Sequence, residues 1–305
     1  MYLNFFNLSE MPFTLTPNTE FFCALEPHHE AMQVLTTAID MGEGFIKVTG
    51  EVGTGEVGTG KTLLCRKLLN QLEPDYIVAY LPNSYLSPEE LRWAIAVELG
   101  MDVDKALDQQ ALTQLINHYL LDLQEDNERV VLLIDEAQCL SWETLEALRL
   151  FTNLETESEK LIQVVLFGQP ELDDKLANNK VRQLRQRISF SYKLRAMTAA
   201  EVIYYINHRL QVAGFNQPPL FSNNMGLKIA RASRGIPRLV NILCHKVLLQ
   251  AYGEGLNQIT TRHIQLAIKD TEDCAKYRTG QYWSYSAVAI SVFAIAAIWI
   301  WRQWL

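Results

Sequence analysis

The stretch GEVGTGKT at residues 55–62 decides the fold of this chain. It follows the apolar run Phe45–Thr49 and begins a segment in which apolar residues recur at helical spacing from Leu63 to Leu69. A strand, a glycine-rich loop and a helix in that order form a P-loop, whose backbone N–H groups and helix N-terminus surround the phosphates of a nucleotide. A glycine-rich surface turn is the alternative, but chance seldom supplies both the motif and its flanking elements. The stretch therefore predicts a nucleotide-binding α/β fold.

The loop residues have separate predicted tasks. Lys61 is expected to reach the β- and γ-phosphates of ATP, and the Thr62 hydroxyl to bind Mg²⁺. The complete set of predicted nucleotide-binding residues in this motif is Gly55, Gly58, Thr59, Gly60, Lys61, Thr62 and Leu63.

A tandem duplication precedes the motif, because Gly50–Thr54 has the same five residues as Gly55–Thr59. Only the second copy adjoins Lys61 and Thr62, so we expect it to form the phosphate loop. The first copy would bulge out at the sheet edge, since a shift in strand register would turn buried faces outward. We expect the bulge to weaken ATP binding and slow hydrolysis; a harmless surface loop is the alternative.

Composition excludes several classes of protein. The 305 residues are 49% hydrophobic, enough for about two domains with real cores. A net charge of −8 argues against broad electrostatic binding to nucleic acid. The five cysteines are odd in number and form no CxxC pair, which indicates reduced thiols in a cytosolic compartment. His28 and His29 are adjacent on a predicted helix and would point in different directions, so a metal site there is improbable.

The C-terminal segment has the composition of a membrane span. No charged residue occurs from Thr279 to Trp301, which is close to the roughly 20 residues needed to cross a bilayer. Tryptophan and tyrosine border the apolar part at both ends, as at membrane interfaces. Lys276 and Arg278 outnumber the single downstream Arg302, which places the N-terminal body inside the cell. The alternative is a completely enclosed core helix.

A second chemical motif ends the apolar run Val130–Ile134, which Asp135 and Glu136 follow directly. An unbroken apolar run is typical of a buried parallel strand, and it would deliver both carboxylates to the edge of the sheet where ligands bind. Asp135 is expected to hold Mg²⁺, usually through water, and Glu136 to orient or deprotonate the attacking water. A helix-capping turn is the alternative, which the P-loop upstream disfavours.

Candidate residues also lie next to two further predicted strands. Gln169 follows the predicted strand Leu161–Phe167 and would either sense the γ-phosphate or bind nearby backbone. Three arginines, Arg182, Arg185 and Arg187, come just before the last predicted strand, Ile188–Leu194. They form either a solvated charged face or a surface that directs an arginine at a neighbouring subunit's nucleotide.

The remaining elements follow from apolar periodicity and capping signals. Tyr2–Pro27 is predicted to be an irregular lead-in, whose Pro-Phe step serves either core packing or an adenine contact. Ser87-Pro-Glu-Glu90 predicts a capped helix start. The other predicted elements are a strand at 76–81 and helices at 30–41, 108–124, 198–213, 222–233, 237–252 and 261–273. The last four indicate a small helical domain, in which Arg238 occupies a helix start that disfavours a basic residue unless an anion lies nearby.

With these motifs in place, the chain resembles AAA+ ATPases, and more narrowly the ExeA/GspA group of secretion ATPases. The resemblance rests on the P-loop, on the segments LIDEAQ, GQPEL, QRI and GIPR, and on the aromatic lead-in that ends in PFTLTP; the five segments start at residues 133, 168, 186, 235 and 12. It covers nearly the whole chain and is strongest to members associated with assembly of the MSHA type IV pilus. The chain stops at Leu305, whereas such proteins commonly continue into a peptidoglycan-binding domain, and the GEVGT duplication departs from the family pattern.

The resemblance implies a P-loop NTPase domain with a five-stranded parallel sheet, a helical lid and a C-terminal transmembrane helix. It makes Gln169 the sensor 1 residue, Arg187 the arginine finger and Arg238 the sensor 2 residue. The domain bounds that follow are 1–44 for the lead-in and first helix, 45–195 for the ATPase domain, 196–275 for the lid and 283–301 for the membrane helix.

The resulting functional hypothesis is an ATP- and Mg²⁺-dependent assembly factor at the bacterial inner membrane, with its ATPase domain in the cytoplasm. Its expected partners are further copies of itself and inner-membrane proteins of a pilus or type II secretion machine. Two alternatives are a nucleic-acid-associated ATPase of the transposition or replication type, which the acidic balance disfavours, and an ATP-binding scaffold with little turnover.

Overall fold

A computed structural model describes residues 2–16, 18–50, 60–72, 76–104, 107–151 and 160–274. Most of the P-loop, including Gly55, Gly58 and Thr59, lies outside the described residues, as does the predicted membrane helix at 283–301. Within the described ranges, none of the helices has the length and apolar character that a membrane span requires.

The chain divides into two compact units, of which the first is an α/β unit formed by Thr16–Ala196. Its sheet has five parallel strands in the order β2-β3-β4-β1-β5. The strands are β1 (Phe45–Gly50), β2 (Ile77–Leu81), β3 (Val130–Ile134), β4 (Gln163–Gly168) and β5 (Ile188–Leu194). This confirms the five-stranded parallel sheet that the sequence predicts.

Helices cover both faces of the sheet, and β3 shows why its sequence is continuously apolar. Leu132 and Ile134 pack into a core with the helices on one face, whereas Val131 and Leu133 pack into a second core with the helices on the other face. Successive side chains of a strand point to opposite faces, so a strand buried on both sides needs apolar residues throughout. The helices of this unit are α1 (Glu26–Asp40), α2 (Lys61–Leu72), α3 (Pro88–Glu98), α4 (Gln109–Glu125), α5 (Trp142–Phe151), α6 (Glu171–Ala177) and α7 (Arg182–Arg187).

Local capping fixes several of these boundaries. Ser87 and Glu90 form the predicted capping box at the start of α3, and the Asp108 side chain accepts a hydrogen bond from the Ala111 N–H at the start of α4. The first helix begins at Glu26, four residues before its predicted start, because Pro27 is tolerated in the first turn of a helix. The fourth strand begins at Gln163, two residues later than predicted.

The first copy of the duplicated pentapeptide begins inside the sheet. Gly50 is the last residue of β1 and pairs with Leu194 of β5. The register of β1 against β5 is continuous from Ile46 to Gly50, and its irregularity lies at the other end, between Phe45 and Ile46. The rest of the copy lies outside the described residues, so the bulge stays a prediction.

The second unit is helical in its described residues, which are 2–15 and 197–274. Its helices within the described residues are α8 (Ala199–Val212), α9 (Asn223–Ser233), α10 (Pro237–Gly253) and α11 (Thr261–Lys269). The last of these ends four residues before its predicted end. Thr198 and Glu201 form the predicted capping box at the start of α8. The N-terminal segment belongs to this unit, since Tyr2 hydrogen-bonds His245, and the carbonyl of Pro12 accepts a hydrogen bond from the buried Arg209.

Gly235 shapes the chain just before α10. It has a φ of +74°, and a Cβ placed there would lie 2.0 Å from the carbonyl oxygen of Met197. Any side chain would therefore collide with backbone, so this turn requires glycine. The same turn leads into Pro237 and Arg238 at the first positions of α10.

Candidate active site

The candidate site lies at the edge of the sheet where the carboxyl ends of β1, β3 and β4 meet. The sequence places the P-loop after β1, Asp135 and Glu136 after β3, and Gln169 after β4. Because β1, β4 and β3 are neighbours in the sheet, these three strand ends converge. The structure accordingly brings together the predicted residues Lys61, Thr62, Asp135, Glu136 and Gln169.

Asp135 is held by several donors at the end of β3. It is only 2% exposed, and its Oδ1 accepts a hydrogen bond of 2.9 Å from the Glu136 N–H. The Thr62 hydroxyl donates a second hydrogen bond to its carboxylate, and the buried Ser84 hydroxyl donates to its carbonyl oxygen. Burial raises the pKa of Asp135, although both donors to its carboxylate act in the opposite direction.

Lys61 is the buried cation of the site. It begins α2 and is 5% exposed, and burial lowers its pKa. The negative charges of Glu136, Asp135 and Glu171 oppose that shift. The residue before it, Gly60, has a φ of +92°, and a Cβ there would meet His28 Nε2 at 3.3 Å. The turn into α2 is thus tight and favours glycine.

These side chains fit a nucleotide with its magnesium ion. A buried ammonium at a helix N-terminus suits a phosphate anion, since that end of the helix carries a partial positive charge. A threonine hydroxyl hydrogen-bonded to a carboxylate supplies hard oxygen ligands of the kind Mg²⁺ prefers. The described part of the motif therefore has the donor set for ATP and Mg²⁺.

Glu136 has an unusual backbone conformation. Its φ of 52° and ψ of 37° are left-handed, which is uncommon for a residue other than glycine. Its Oε2 accepts hydrogen bonds from two side-chain amides: Gln169 Nε2 at 3.0 Å and Gln138 Nε2. Strained backbone that the surroundings hold in place is a feature of functional sites. The conformation aims a half-buried carboxylate along the edge of the sheet.

The structure assigns partners to Gln169 and reveals Gln138. The Gln169 side chain donates to Glu136 instead of to nearby backbone, and its main-chain N–H donates to Gln138 Oε1 at 2.9 Å. Sequence reasoning gave Gln138 no role. The only signal was its place three residues after Asp135, from which the turn Ala137–Cys139 brings its side chain back to Glu136.

Two predicted site residues, Arg187 and Arg238, belong to other elements of the chain. Arg187 ends α7 immediately before β5, whose first residue Ile188 pairs with Phe45, the first residue of β1. Arg187 is thus at the amino edge of the parallel sheet, opposite the edge that carries Lys61. Arg238 belongs to the helical unit, where it is an exposed residue in the first turn of α10.

The α/β unit is similar to a known family of domains. Residues 39–176 match the family model described as AAA domain. The α/β unit, with its five-stranded parallel sheet, is the AAA P-loop fold.

Known proteins resemble the chain at two levels. It is 39% identical over 302 residues to General secretion pathway protein A of Aeromonas hydrophila. That alignment covers 99% of this chain and 54% of the relative, so the chain spans about half the length of the curated protein it matches. Among solved structures, Cdc6p of Pyrobaculum aerophilum is similar with a TM-score of 0.65 and 17% identity over 85% of this chain and 70% of the other. The ORC1 protein of Aeropyrum pernix, solved in complex with DNA, has a TM-score of 0.56 and 19% identity over 84% and 66%. At these identities the solved structures show the fold alone.

Proposed function

We propose that the protein hydrolyses ATP in a Mg²⁺-dependent reaction. The observation that carries this proposal is the left-handed Glu136, held by two amides beside a buried Lys61 and a buried Asp135. A structural ion pair would not need the strained backbone or the two donors on one carboxylate oxygen.

Each side chain has a distinct task in this proposal. Lys61 and the N-terminus of α2 bind phosphate, while Thr62 and Asp135 hold the metal. When bound, Mg²⁺ neutralises part of the phosphate charge. Gln138 and Gln169 both donate to Oε2 of Glu136. In this proposal the other carboxylate oxygen, Oε1, accepts a proton from the attacking water.

The proposal is tested with two variants that separate binding from turnover. Glu136→Gln should retain ATP affinity and lose about 10²-fold or more in turnover, because the carboxylate that accepts the proton is gone. Lys61→Ala should lose ATP binding itself. Affinity is measured with a fluorescent ATP analogue, and turnover by phosphate release. A wild-type chain that binds ATP without releasing phosphate would instead be an ATP-binding scaffold.

We propose that this activity serves assembly of a type IV pilus or a type II secretion machine at the bacterial inner membrane. One support is the 39% identity with General secretion pathway protein A. The other is the resemblance of the sequence to members of that group associated with assembly of the MSHA pilus. In this proposal the chain is a single-pass membrane protein with a cytoplasmic ATPase domain, its subunits assemble with one another, and Arg238 contacts the nucleotide. A role on nucleic acid has weaker support, because the net charge of −8 opposes binding to phosphate backbones.

A further inference from the structure

Gln138 makes three hydrogen bonds that join three separate parts of the site. Its side-chain Nε2 donates to Glu136 Oε2, and its Oε1 accepts from the Gln169 main-chain N–H at 2.9 Å. Its main-chain oxygen accepts from Lys175 Nζ of α6 at 2.7 Å. The amide group of Gln138 therefore has a partner for both its nitrogen and its oxygen. Lys175 also holds the main chain around Gln138, since its Nζ donates to the carbonyl of Leu140 at 2.6 Å.

The end of β4 is shaped to admit this amide. A Cβ at Gly168 would lie 3.3 Å from Gln138 Oε1 and 2.6 Å from Leu172 Cδ2. A side chain at position 168 would thus force Leu172 or Gln138 to move. Glycine allows the backbone of β4 to approach close enough for the Gln169 N–H to donate to Gln138.

The two glutamines also restrain one carboxylate oxygen in two different ways. Gln169 reaches Glu136 Oε2 with its own side chain at 3.0 Å, while Gln138 reaches it from the segment that follows Glu136. Because Gln138 also holds the Gln169 backbone, a movement of the β4 end displaces both donors together. The carboxylate of Glu136 would then follow the main chain of Gln169.

We propose that Gln138 is a positioning residue that couples the Glu136 carboxylate to the main chain at the end of β4. The inference rests on the proposed hydrolysis, in which Glu136 is the general base and Gln169 lies beside the γ-phosphate. In that reaction Gln138 would link the position of Gln169 to the orientation of the Glu136 carboxylate. The residue acts through Glu136 and does not itself touch the reacting atoms.

The first test needs no nucleotide turnover. Gln138→Met keeps the length of the side chain and removes both its donor and its acceptor. Hydrogen–deuterium exchange of a peptide that contains Gln169 should then become at least about tenfold faster, because its N–H loses its acceptor. Gln110→Met, on the exposed face of α4, is the matched control and should leave the exchange unchanged. Wild-type exchange in the Gln138 variant would overturn the proposal.

The second test separates positioning from a merely structural role. Gln138→Met should lower kcat by about tenfold to 10²-fold, with ATP affinity within error of the wild type. In a Glu136→Gln background the same change should lower the residual turnover no further, because its effect passes through Glu136. A wild-type kcat in Gln138→Met, or an equal further loss in the double variant, would refute the proposal. A wild-type chain without turnover would refute the hydrolysis instead, and the exchange experiment would still decide whether Gln138 holds the β4 end.

Discussion

Burial opposes both charges at the centre of the site. It lowers the pKa of Lys61 and raises the pKa of Asp135, so each side chain is pushed toward its neutral form. Their mutual attraction and the Thr62 hydroxyl act against this, and a polyanion with a metal ion would act further in the same direction. The nucleotide-free protein thus carries an electrostatic cost at the two residues that we propose bind the nucleotide and its metal ion.

This cost gives a stability prediction for Asp135→Asn. A raised folded-state pKa means that the carboxyl stabilises the fold while it is protonated, below its usual 3.8, and that this contribution is lost as the pH rises through the raised value. At neutral pH the ionised group therefore disfavours folding. The amide has no such cost, so at neutral pH the nucleotide-free variant should have a larger free energy of unfolding than the wild type, while turnover falls by about 10²-fold or more because the proposed metal ligand is lost.

The measurement is urea unfolding of the nucleotide-free protein across the acid range and at neutral pH. The stability difference between variant and wild type should grow from acid pH and level off toward neutrality. Asp122→Asn on the exposed end of α4 serves as the control for loss of a surface charge. A smaller free energy of unfolding at neutral pH in Asp135→Asn than in both other proteins would contradict the electrostatic argument.

At this scale the sequence predicted which residues lie together at the site but not all of their geometry. Lys61, Thr62, Asp135 and Glu136 were identifiable because each stands at a fixed distance from a recognisable strand or loop. The left-handed backbone of Glu136 and the role of Gln138 were not, since both depend on how a three-residue turn folds back against β4. Side-chain spacing along the chain carries no information about such a turn.

At the scale of elements, the parallel sheet separates Arg187 from the candidate site of the same chain. The six residues of β1 rise about 3.3 Å each, so the two edges of the sheet lie roughly 20 Å apart. Arg187 stands at the start of β5, at the far edge from Lys61. An arginine placed there is suited to the nucleotide of a neighbouring subunit.

Arg187→Ala should therefore lower turnover by roughly 10³-fold and leave ATP affinity nearly unchanged, as for arginines supplied in trans in other nucleotide hydrolases. Arg185→Ala, two residues earlier on the exposed side of α7, is the control and should retain most activity. Mixing Arg187→Ala with Lys61→Ala should restore part of the turnover, because the second variant still offers its Arg187 to the intact P-loop of the first. Equal losses from both arginines, or no recovery on mixing, would exclude a shared site.

The elements predicted best were those with strong local signals. Val130–Ile134 and Ile188–Leu194 match their strands at both ends, and the Ser87 and Thr198 capping boxes mark their helix starts. The short helices α5, α6 and α7 went unpredicted. Helix α6 has seven residues and is fixed by tertiary contacts, such as Lys175 with the turn after β3, which local propensity does not encode.

At the scale of the whole molecule, the chain combines an acidic body with an uncharged end. The net charge of −8 belongs to a sequence whose residues 279–301 carry no charge at all. Aromatic residues border that segment, and basic residues precede it. This distribution fits a membrane span with the ATPase body on the cytoplasmic side, where basic flanking residues accumulate.

Removing residues 279–305 should consequently release the protein from membranes, because no other stretch of the sequence has as many consecutive uncharged, largely apolar residues. Membranes are washed with carbonate, and the pellet and supernatant are probed for the full chain, the shortened chain and full-length Lys61→Ala. We expect only the shortened chain in the supernatant, because the other two proteins keep the segment. The Lys61 variant tests whether nucleotide binding matters for anchoring. In-cell crosslinking to inner-membrane pilus or secretion proteins should be lost together with the segment.

A shortened chain that still pellets would show that the segment is not the anchor. A shortened chain that instead binds a DNA column and elutes with salt would favour the nucleic-acid alternative, because counterion release makes such binding steeply salt-dependent.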